Sequence, residues 1–472
     1  MPASDWGALF RDGRGAFTVI LNLGIGLHAI DMFLISTVMP TVVHDIGGAA
    51  FYAWPTMLYM AASIVGSASG GPLKAGLGPR RGYALGGLLF LLGSAACGAS
   101  PTMAILLVAR TVQGYGGGLL LAQSMGLVND LYPPALRTRV LALVSGVWGV
   151  AALIGPLIGG IFGEIGWWRG AFWTTVPIIA GFTLLAWRSL PQAAAAAVPK
   201  FPIRRIGLLA AGVLSAGIAD NVPGLPLKLG LLAAAVLLVV QTFRLDSAAA
   251  SRMFPPRPMS LLTPVGTAYW ILFLFSMTHT AIGIFLPLAL QVLDGVGPLA
   301  AGYANAALAV AWTAASFATS GWRGGGQTAA IVGGPLLTAI SLVCLTLGIA
   351  TLSPLEICTL TALVGFGIGA SNLHIVAQTM RIAERGHESL TASSIPTIRS
   401  IGISFGAAVA GLIANTAGLG GGISAPTVVT AITWVYGAAI LAPTAAFILS
   451  LRIARFRAAA GDPAASVQVV PD

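Results

Sequence analysis

The feature that most constrains this chain is a series of long apolar segments, such as LGGLLFLLGSAACGA at residues 85–99, separated by short turns that carry most of the charge. Only 8% of the 472 residues are charged, whereas a soluble globular protein has roughly 25%. A helix needs about 20 apolar residues to cross a bilayer, and strands of a membrane barrel alternate polar and apolar residues over about 10 positions. The sequence therefore predicts an all-α polytopic membrane protein. It excludes a soluble enzyme and a disordered chain, and a membrane barrel fits it poorly.

Apolar length and helix breakers predict about fourteen membrane helices, arranged as six, two and six. The predicted helices are Ala16–Met39, Tyr52–Gly70, Gly82–Ser100, Thr102–Val128, Thr138–Gly163, Gly170–Leu190, Ile206–Ala219, Pro226–Phe243, Pro264–Leu290, Leu299–Thr319, Thr328–Ala350, Leu355–Met380, Ser389–Ala417 and Thr427–Leu451.

The predicted organisation has four parts. Residues 1–190 form an N-terminal six-helix bundle, and residues 191–258 form a linker that carries two extra helices. Residues 259–456 form a C-terminal six-helix bundle, and residues 457–472 form a cytoplasmic tail. The stretches PQAAAAAVPKFPIRR and FRLDSAAASRMFPPRP, which flank the two extra helices, are rich in Ala, Pro and basic residues, as linkers are.

The basic residues predict which side each turn faces. Twenty of the 24 Lys and Arg fall on one side of the predicted bundle, and cytoplasmic turns are enriched in these residues. The sequence thus predicts a multi-pass protein of the plasma (cytoplasmic) membrane with both termini in the cytoplasm. The net charge of +10 then reflects membrane topology, and no nucleic-acid partner is expected. The first apolar segment is too long for a cleaved signal and is predicted to be a retained helix.

Cofactor sites are not expected. The three cysteines lie inside apolar runs without a CxxC pair, and no GxxxxGK[ST] run is present. We therefore predict no metal and no cofactor, with a proton gradient as the energy source, and a monomer whose partners are a small-molecule substrate, protons and the lipid bilayer.

Three glycine-rich segments stand out. The turn after the second predicted helix, GPLKAGLGPRR, holds Gly71, Gly78, Arg80 and Arg81. The other two segments are RTVQG, with Arg110, Gln113 and Gly114, and GPLIGG, with Gly155, Pro156, Gly159 and Gly160. Individually they indicate a tight turn, a packed arginine and a kinked helix.

Together and in this order, these segments resemble the signatures of the major facilitator superfamily. DMFLISTVMP at residues 31–40 and WRGAFWTTVP at residues 168–177 are similar to signatures of its fourteen-helix drug:proton antiporter subfamily, as is the TIRSIG segment around Arg399. The resemblance implies two six-helix bundles plus two extra central helices. It assigns a gating or motif role to the named residues of the three segments except Arg110, which is a candidate for proton coupling and substrate binding. One departure is Ala75, where the family's loop signature has an acid that latches the cytoplasmic side.

Charges within the apolar runs are functional candidates, because an ionisable group in hydrocarbon costs roughly 2.5–3.5 kcal/mol by insertion scales. Asp31 and Arg110 both lie about 12 Å from the predicted outer helix ends, so they are placed to pair. We predict that Asp31 is the proton-linked carboxylate and contributes to substrate binding. The alternative is a static pair that only orders the bundle.

Other polar groups are weaker candidates. Arg399 is predicted to face a cavity or to serve packing. His279 and His374 are of a residue type that titrates near neutral pH, although a packing role is the more common one. Glu356 is interpreted as a solvated carboxylate near an outer helix end, and Asp220 as a turn residue.

The resulting functional prediction is a proton-coupled secondary active transporter of the multidrug efflux type. It would export small amphiphilic or cationic molecules by alternating access. The alternatives are a dedicated exporter of one metabolite or lipid-like compound, a sensor or scaffold without transport, and an intramembrane enzyme. An enzyme is disfavoured because the sequence has no HExxH segment and because GSASG at residues 66–70 does not match GxSxG.

Overall fold

The computed structural model describes residues 6–11, 14–192, 201–249, 251–384 and 386–460. Residues 193–200 of the predicted linker and 461–472 of the predicted tail lie outside the described residues. The described part is helical, with turns and three short 3-10 segments between fourteen α-helices. They are α1 (Arg14–Ile46), α2 (Trp54–Gly98), α3 (Met103–Leu131), α4 (Pro134–Glu164), α5 (Arg169–Ser189), α6 (Ile203–Asn221), α7 (Leu225–Ser247), α8 (Pro264–Leu293), α9 (Pro298–Thr319), α10 (Gly324–Gly348), α11 (Pro354–Arg381), α12 (Glu388–Thr416), α13 (Ala425–Ala439) and α14 (Leu441–Ala460).

Ten segments of the described residues are long and apolar enough to cross a membrane. Every predicted membrane helix coincides with helical structure, including the seventh, which is α6. The predicted all-α polytopic membrane protein is therefore confirmed. The proposed boundaries between the bundles, the linker and the tail stay a prediction.

The second and third predicted helices are both present and meet at a break inside the range given for α2. The break is at Gly78, where φ is 80° and ψ is 162°, values that are not helical. A residue with a side chain rarely adopts this backbone conformation. One glycine followed by Pro79 therefore produces the break, and the GPLKAG residues before it extend the helix.

The last predicted helix, Thr427–Leu451, is divided in the structure into α13 and α14. Pro443 follows the interruption at Ile440. Its nitrogen has no hydrogen to donate to the carbonyl four residues earlier, and its ring crowds that carbonyl. The two short helices together supply one candidate membrane span, Ala425–Phe456.

The described chain forms two compact units. The first contains the described residues up to Thr242, together with Gly283–Ala306 and Ala407–Ala431. Within it, α2 packs against α3, α5 and α6, while α1 packs against α3 and α4. The second contains Phe243–Ile282, Ala307–Gly406 and the described residues from Ile432, and in it α10 packs against α11 and α14.

Paired glycines allow one kind of close helix contact in both units. In α3, a Cβ built on Gly114 or Gly118 would lie 2.2 or 2.1 Å from the carbonyl oxygens of Tyr59 and Ser63 on α2. In α11, Gly365 and Gly369 meet the carbonyl oxygens of Leu308 and Trp312 on α9 at 2.1 and 2.2 Å by the same measure. Small residues four apart let backbones approach in a membrane, so both units use this packing.

We predict that Gly118→Ala destabilises the protein by about 1–3 kcal/mol, because the methyl group would overlap a backbone oxygen of α2 that cannot rotate away. Gly181→Ala is the matched control, since a Cβ at Gly181 meets nothing within 4 Å. Thermal unfolding of the purified variants in detergent measures the difference. Equal midpoints for both variants would contradict the contact.

Candidate functional site

Asp31, Arg110 and Gln113 form one buried hydrogen-bonded group between α1 and α3. Arg110 Nη1 is ion-paired with Asp31 Oδ2, and the same nitrogen donates to Gln113 Oε1 at 2.6 Å. Gln113 Nε2 donates to Asp31 Oδ1 at 2.8 Å. As whole residues, Asp31, Arg110 and Gln113 are 4%, 0% and 1% exposed. Asp31 and Arg110, which the sequence predicts at the same depth, are therefore in direct contact. Gln113 is the third member of the group.

The group extends onto α2 at Ser94 and Cys97. Gln113 Nε2 donates a second hydrogen bond to Ser94 Oγ at 2.9 Å, and the Cys97 thiol donates to Gln113 Oε1 at 3.6 Å. Ser94 passes its own hydrogen to the Phe90 carbonyl at 2.8 Å. Gln113 therefore links the carboxylate to neutral groups of α2 and fixes its orientation.

On the opposite side, Arg110 rests on an aromatic group. Its guanidinium carbon lies 4.2 Å from the centre of the Tyr59 ring, and Nε donates to the Pro55 carbonyl at 3.4 Å. The Tyr59 hydroxyl shares a 2.7 Å hydrogen bond with Nδ1 of His28, whose ring stacks on Tyr59 and meets Trp148 edge-on. The network thus continues from the ion pair to a buried histidine.

Helical spacing explains this assembly. His28 and Asp31 are three residues apart on α1, and Arg110 and Gln113 are three apart on α3, so each pair shares one helix face. At Gly117 of α3, a Cβ would lie 2.8 Å from both His28 Nδ1 and the Tyr59 hydroxyl. The glycines after Gln113 therefore make room for the aromatic half of the network.

The charges of Asp31 and Arg110 cancel inside an apolar surrounding. Removing both ions from water is costly, and it is offset only when geometry and additional hydrogen bonds are favourable. Both Asp31 oxygens accept hydrogen bonds, whereas Nη2 of Arg110 has no hydrogen-bond partner. Nη2, which carries two N–H donors, is therefore the one guanidinium nitrogen of Arg110 that has no hydrogen-bond partner among the described residues.

The turn motif lies at the Gly78 break in the middle of α2, where the first helical part ends, and Arg80 holds it there. Arg80 donates to the carbonyls of Leu190 and Arg188 after and within α5, at 3.1 and 3.2 Å, while Arg81 is exposed. A Cβ at Gly71 would meet nothing within 4 Å. Lys74 forms an ion pair with Asp130 of α3. Next to Ala75, the acid–base contact at this end therefore comes from a lysine on α2 and an aspartate on α3.

The GPLIGG segment of α4 lies against α1 and α9. A Cβ at Gly155 would lie 2.6 Å from Phe33 Cβ, and one at Gly160 would lie 2.5 Å from Leu299 Cα. Gly159 meets Leu34 and Thr37 of α1, and Pro156 lies within the helix opposite Gly302 of α9. All four predicted motif residues are thus at close helix contacts.

Asp220 is not a turn residue, so that interpretation is wrong. It lies in the last turn of α6 and is 5% exposed. Its Oδ2 accepts a 2.8 Å hydrogen bond from Asn415 of α12, whose Nδ2 also donates to the Ala50 carbonyl at 2.6 Å. The Asp220–Asn221 pair that suggested a turn forms the last two residues of α6. Asp220 is hydrogen-bonded there to a residue that is distant in sequence.

The remaining candidates are not brought to this network. Arg399 of α12 is half-buried and donates from Nη2 to Asn372 Oδ1 of α11 at 2.7 Å. His279 meets the Trp312 ring edge-on at 5.8 Å, and His374 is 4% exposed in α11.

Glu356 is exposed and closes a capping box with Ser353 at the start of α11, which agrees with its interpretation as a solvated carboxylate.

Sequence reasoning missed His28, Tyr59 and Ser94. His28 carries a usable signal, because it lies three residues before Asp31 on the same helix. Tyr59 and Ser94 carry none, since their positions in α2 give their depth but not the direction in which they point. The same is true of Asn372 beside Arg399.

Known protein families and named proteins resemble this chain over most of its length. A family model described as Major Facilitator Superfamily matches residues 21–407. Two Mycobacterium tuberculosis relatives, each named a probable multidrug-efflux transporter, are 34% identical over 419 residues, covering 85% of this chain and 88% of theirs. Multidrug transporter protein MdtP of Bacillus subtilis is 26% identical over 424 residues, covering 86% and 77%.

Solved structures show the same fold at low identity. A D-xylose-proton symporter superposes with a TM-score of 0.64 at 14% identity, covering 94% of this chain and 97% of that one. A POT family transporter in complex with 5-aminolevulinic acid gives 0.65 at 14% identity, covering 96% and 97%. The predicted major-facilitator fold is therefore confirmed.

The chain belongs to the major facilitator superfamily. Membership makes it a membrane-embedded transporter of a small molecule, and this agrees with the prediction that it is not an enzyme.

We predict strongly non-additive stability effects for Asp31 and Arg110. Arg110→Met leaves an unpaired buried carboxylate and is expected to cost about 3–5 kcal/mol. The double variant Asp31→Asn/Arg110→Met removes both charges and is expected to lose less than the sum of the single variants. Unfolding of the four purified proteins forms the cycle. Additive losses would show that the two charges do not interact.

Proposed function

We propose that this protein is a proton-coupled exporter of the fourteen-helix drug:proton antiporter type, which expels small amphiphilic molecules by alternating access. The observation that carries the proposal is the buried network of Asp31, Arg110 and Gln113. An intramembrane carboxylate is expensive to maintain and typical of proton relays. The names of the Mycobacterium and Bacillus relatives support the multidrug efflux part.

The network offers a simple coupling step. Ionised Asp31 holds Arg110 and Gln113 through both of its oxygens. When a proton binds to the carboxylate, the ion pair is lost and one oxygen becomes a donor. Arg110 is then left without its counter-charge and α1 is held less tightly to α3. Protonation therefore favours one arrangement of these helices and deprotonation the other, as proton-driven exchange requires.

A second set of contacts supports alternating access. At the ends of α1 and α4 predicted to face outside, Gln291 Nε2 donates to the Thr37 carbonyl and Asn305 Nδ2 donates to Ser36 Oγ, both at 3.4 Å. The Leu299 amide donates to Glu164 at 3.2 Å. We propose that these contacts, all between α1 or α4 and the end of α8 or the first half of α9, close the outer side and break when it opens.

The proposal also covers setting and energy source. The distribution of Lys and Arg supports a plasma-membrane location with both termini in the cytoplasm. The proton gradient supplies the energy without a further cofactor, and the protein acts as a monomer. Helices α6 and α7, between the two groups of six, are not part of the coupling step.

We predict that Asp31→Asn abolishes proton-driven export, because the amide cannot exchange a proton. The measurement is uptake of fluorescent dyes and biocides into proteoliposomes under an imposed pH gradient. At least about a tenfold loss of gradient-dependent transport is expected. Glu356→Gln, which alters only an exposed helix cap, is expected to transport like the unmodified protein.

Gradient-driven transport by Asp31→Asn at the unmodified rate would exclude this residue from coupling. Transport of only one compound in the whole panel would instead favour a dedicated metabolite exporter.

A further inference from the structure

Arg399 differs from Arg110 because it has no counter-charge among the described residues. It lies eleven residues after the first residue of α12, about 16 Å along the helix axis. Its hydrogen bond goes to Asn372, a neutral amide, and no carboxylate of the described residues lies within 4.0 Å of its guanidinium. Arg110 shares its charge with Asp31, so Arg399 is the uncompensated charge in the interior of the described spans.

The face of α12 that carries Arg399 is turned toward other helices. Gly402 and Gly406 follow Arg399 by three and seven residues and therefore lie on its face. A Cβ at Gly402 would lie 2.6 Å from the Phe273 carbonyl, and one at Gly406 would lie 2.8 Å from Met277 Cα, both on α8. Arg399 is thus on the α8-facing side of α12, its guanidinium is hydrogen-bonded to Asn372 of α11, and the residue is half-buried.

Apolar rings border the same region. Phe273, which contacts Gly402 one turn from Arg399, lies 6.3 Å from the Phe405 ring and 5.5 Å from the Trp270 ring. A fixed cation with its amide partner is therefore followed, from one helical turn further along α12, by an aromatic surface. This is the complement of a molecule with an acidic group on an apolar body.

We propose that Arg399 and Asn372 form a binding subsite for the carboxylate of an amphiphilic organic anion, whose apolar part contacts Phe273 and Phe405. Arginine keeps its charge at all relevant pH values, and its planar fork matches a carboxylate with two parallel hydrogen bonds. Asn372 occupies one donor and orients the guanidinium. The proposal rests on the proposed export function and differs from the cationic substrates predicted from the sequence, because Asp31 is already neutralised by Arg110.

The experiment uses four compounds that share one aryl-alkyl body and end in a carboxylate, a sulfonate, a neutral amide or a trimethylammonium group. Their binding to the purified full-length protein in lipid nanodiscs is measured by calorimetry. The unmodified protein is expected to bind the carboxylate roughly tenfold or more tightly than the amide, which is the scale of one charge-assisted hydrogen-bond pair. Arg399→Gln is expected to remove this preference while leaving the affinity for the amide unchanged.

Arg323→Gln is the matched control, because Arg323 is exposed before α10, and it is expected to keep the carboxylate preference. Arg399→Lys, which keeps the charge without the fork, is expected to retain part of it, and Asn372→Ala is expected to weaken carboxylate binding about threefold. These two variants carry the test if Arg399→Gln binds none of the compounds.

The proposal is overturned if the trimethylammonium compound binds the unmodified protein more tightly than the carboxylate, or if Arg399→Gln and Arg399→Lys leave the carboxylate preference intact. Transport separates this failure from failure of the export function. Proton-driven export of the amide without any anion preference rejects only the subsite. If no compound moves under a gradient and Asp31→Asn makes no difference, the export function itself is rejected.

Discussion

The pairing of Asp31 with Arg110 is the interaction on which the first unit depends. A carboxylate at this depth cannot be hydrated, so it must be neutralised and hydrogen-bonded by protein. This requirement fixes the register of α1 against α3, because both oxygens of Asp31 are bound by groups one helical turn apart on α3. The close packing at Gly114 and Gly117 follows from it, since a bulkier α3 would hold Arg110 away from the Tyr59 ring.

The two units share a mode of backbone packing and one kind of hydrogen bond, but they differ in the charges that they hold. Glycines four residues apart bring α3 onto α2 and α11 onto α9 through equivalent carbonyl contacts. A tyrosine hydroxyl also bridges helices in both, from Tyr83 to Ser124 and from Tyr269 to Ser394. The arginines break this correspondence, because Arg110 has an acid beside it and Arg399 has an amide. The two units thus share their mode of helix packing and differ in the partner of their buried or half-buried arginine.

The sequence predicted the helices well, because crossing a bilayer demands apolar length and the turns collect the cations. It did not show that one residue, Gly78, makes the break between the second and third helices, or that the last helix is interrupted before Pro443, since run length does not show where a helix bends or stops. It placed Asp31 and Arg110 at one depth but could not show the direction of a side chain. Tyr59 and Asn372 therefore went unnoticed, and Asp220 was misassigned because its partner Asn415 is 195 residues away.

This difference between the arginines gives the two units different capacities. A unit whose acid and base neutralise each other can change its net charge only by taking up or releasing a proton, which suits coupling. A unit that holds an unbalanced cation lowers its energy by binding an anion from outside, which suits recognition. The proposed antiport requires the two events to alternate. Protonation of Asp31 must therefore favour the state that releases the anion at Arg399, and deprotonation the state that binds it.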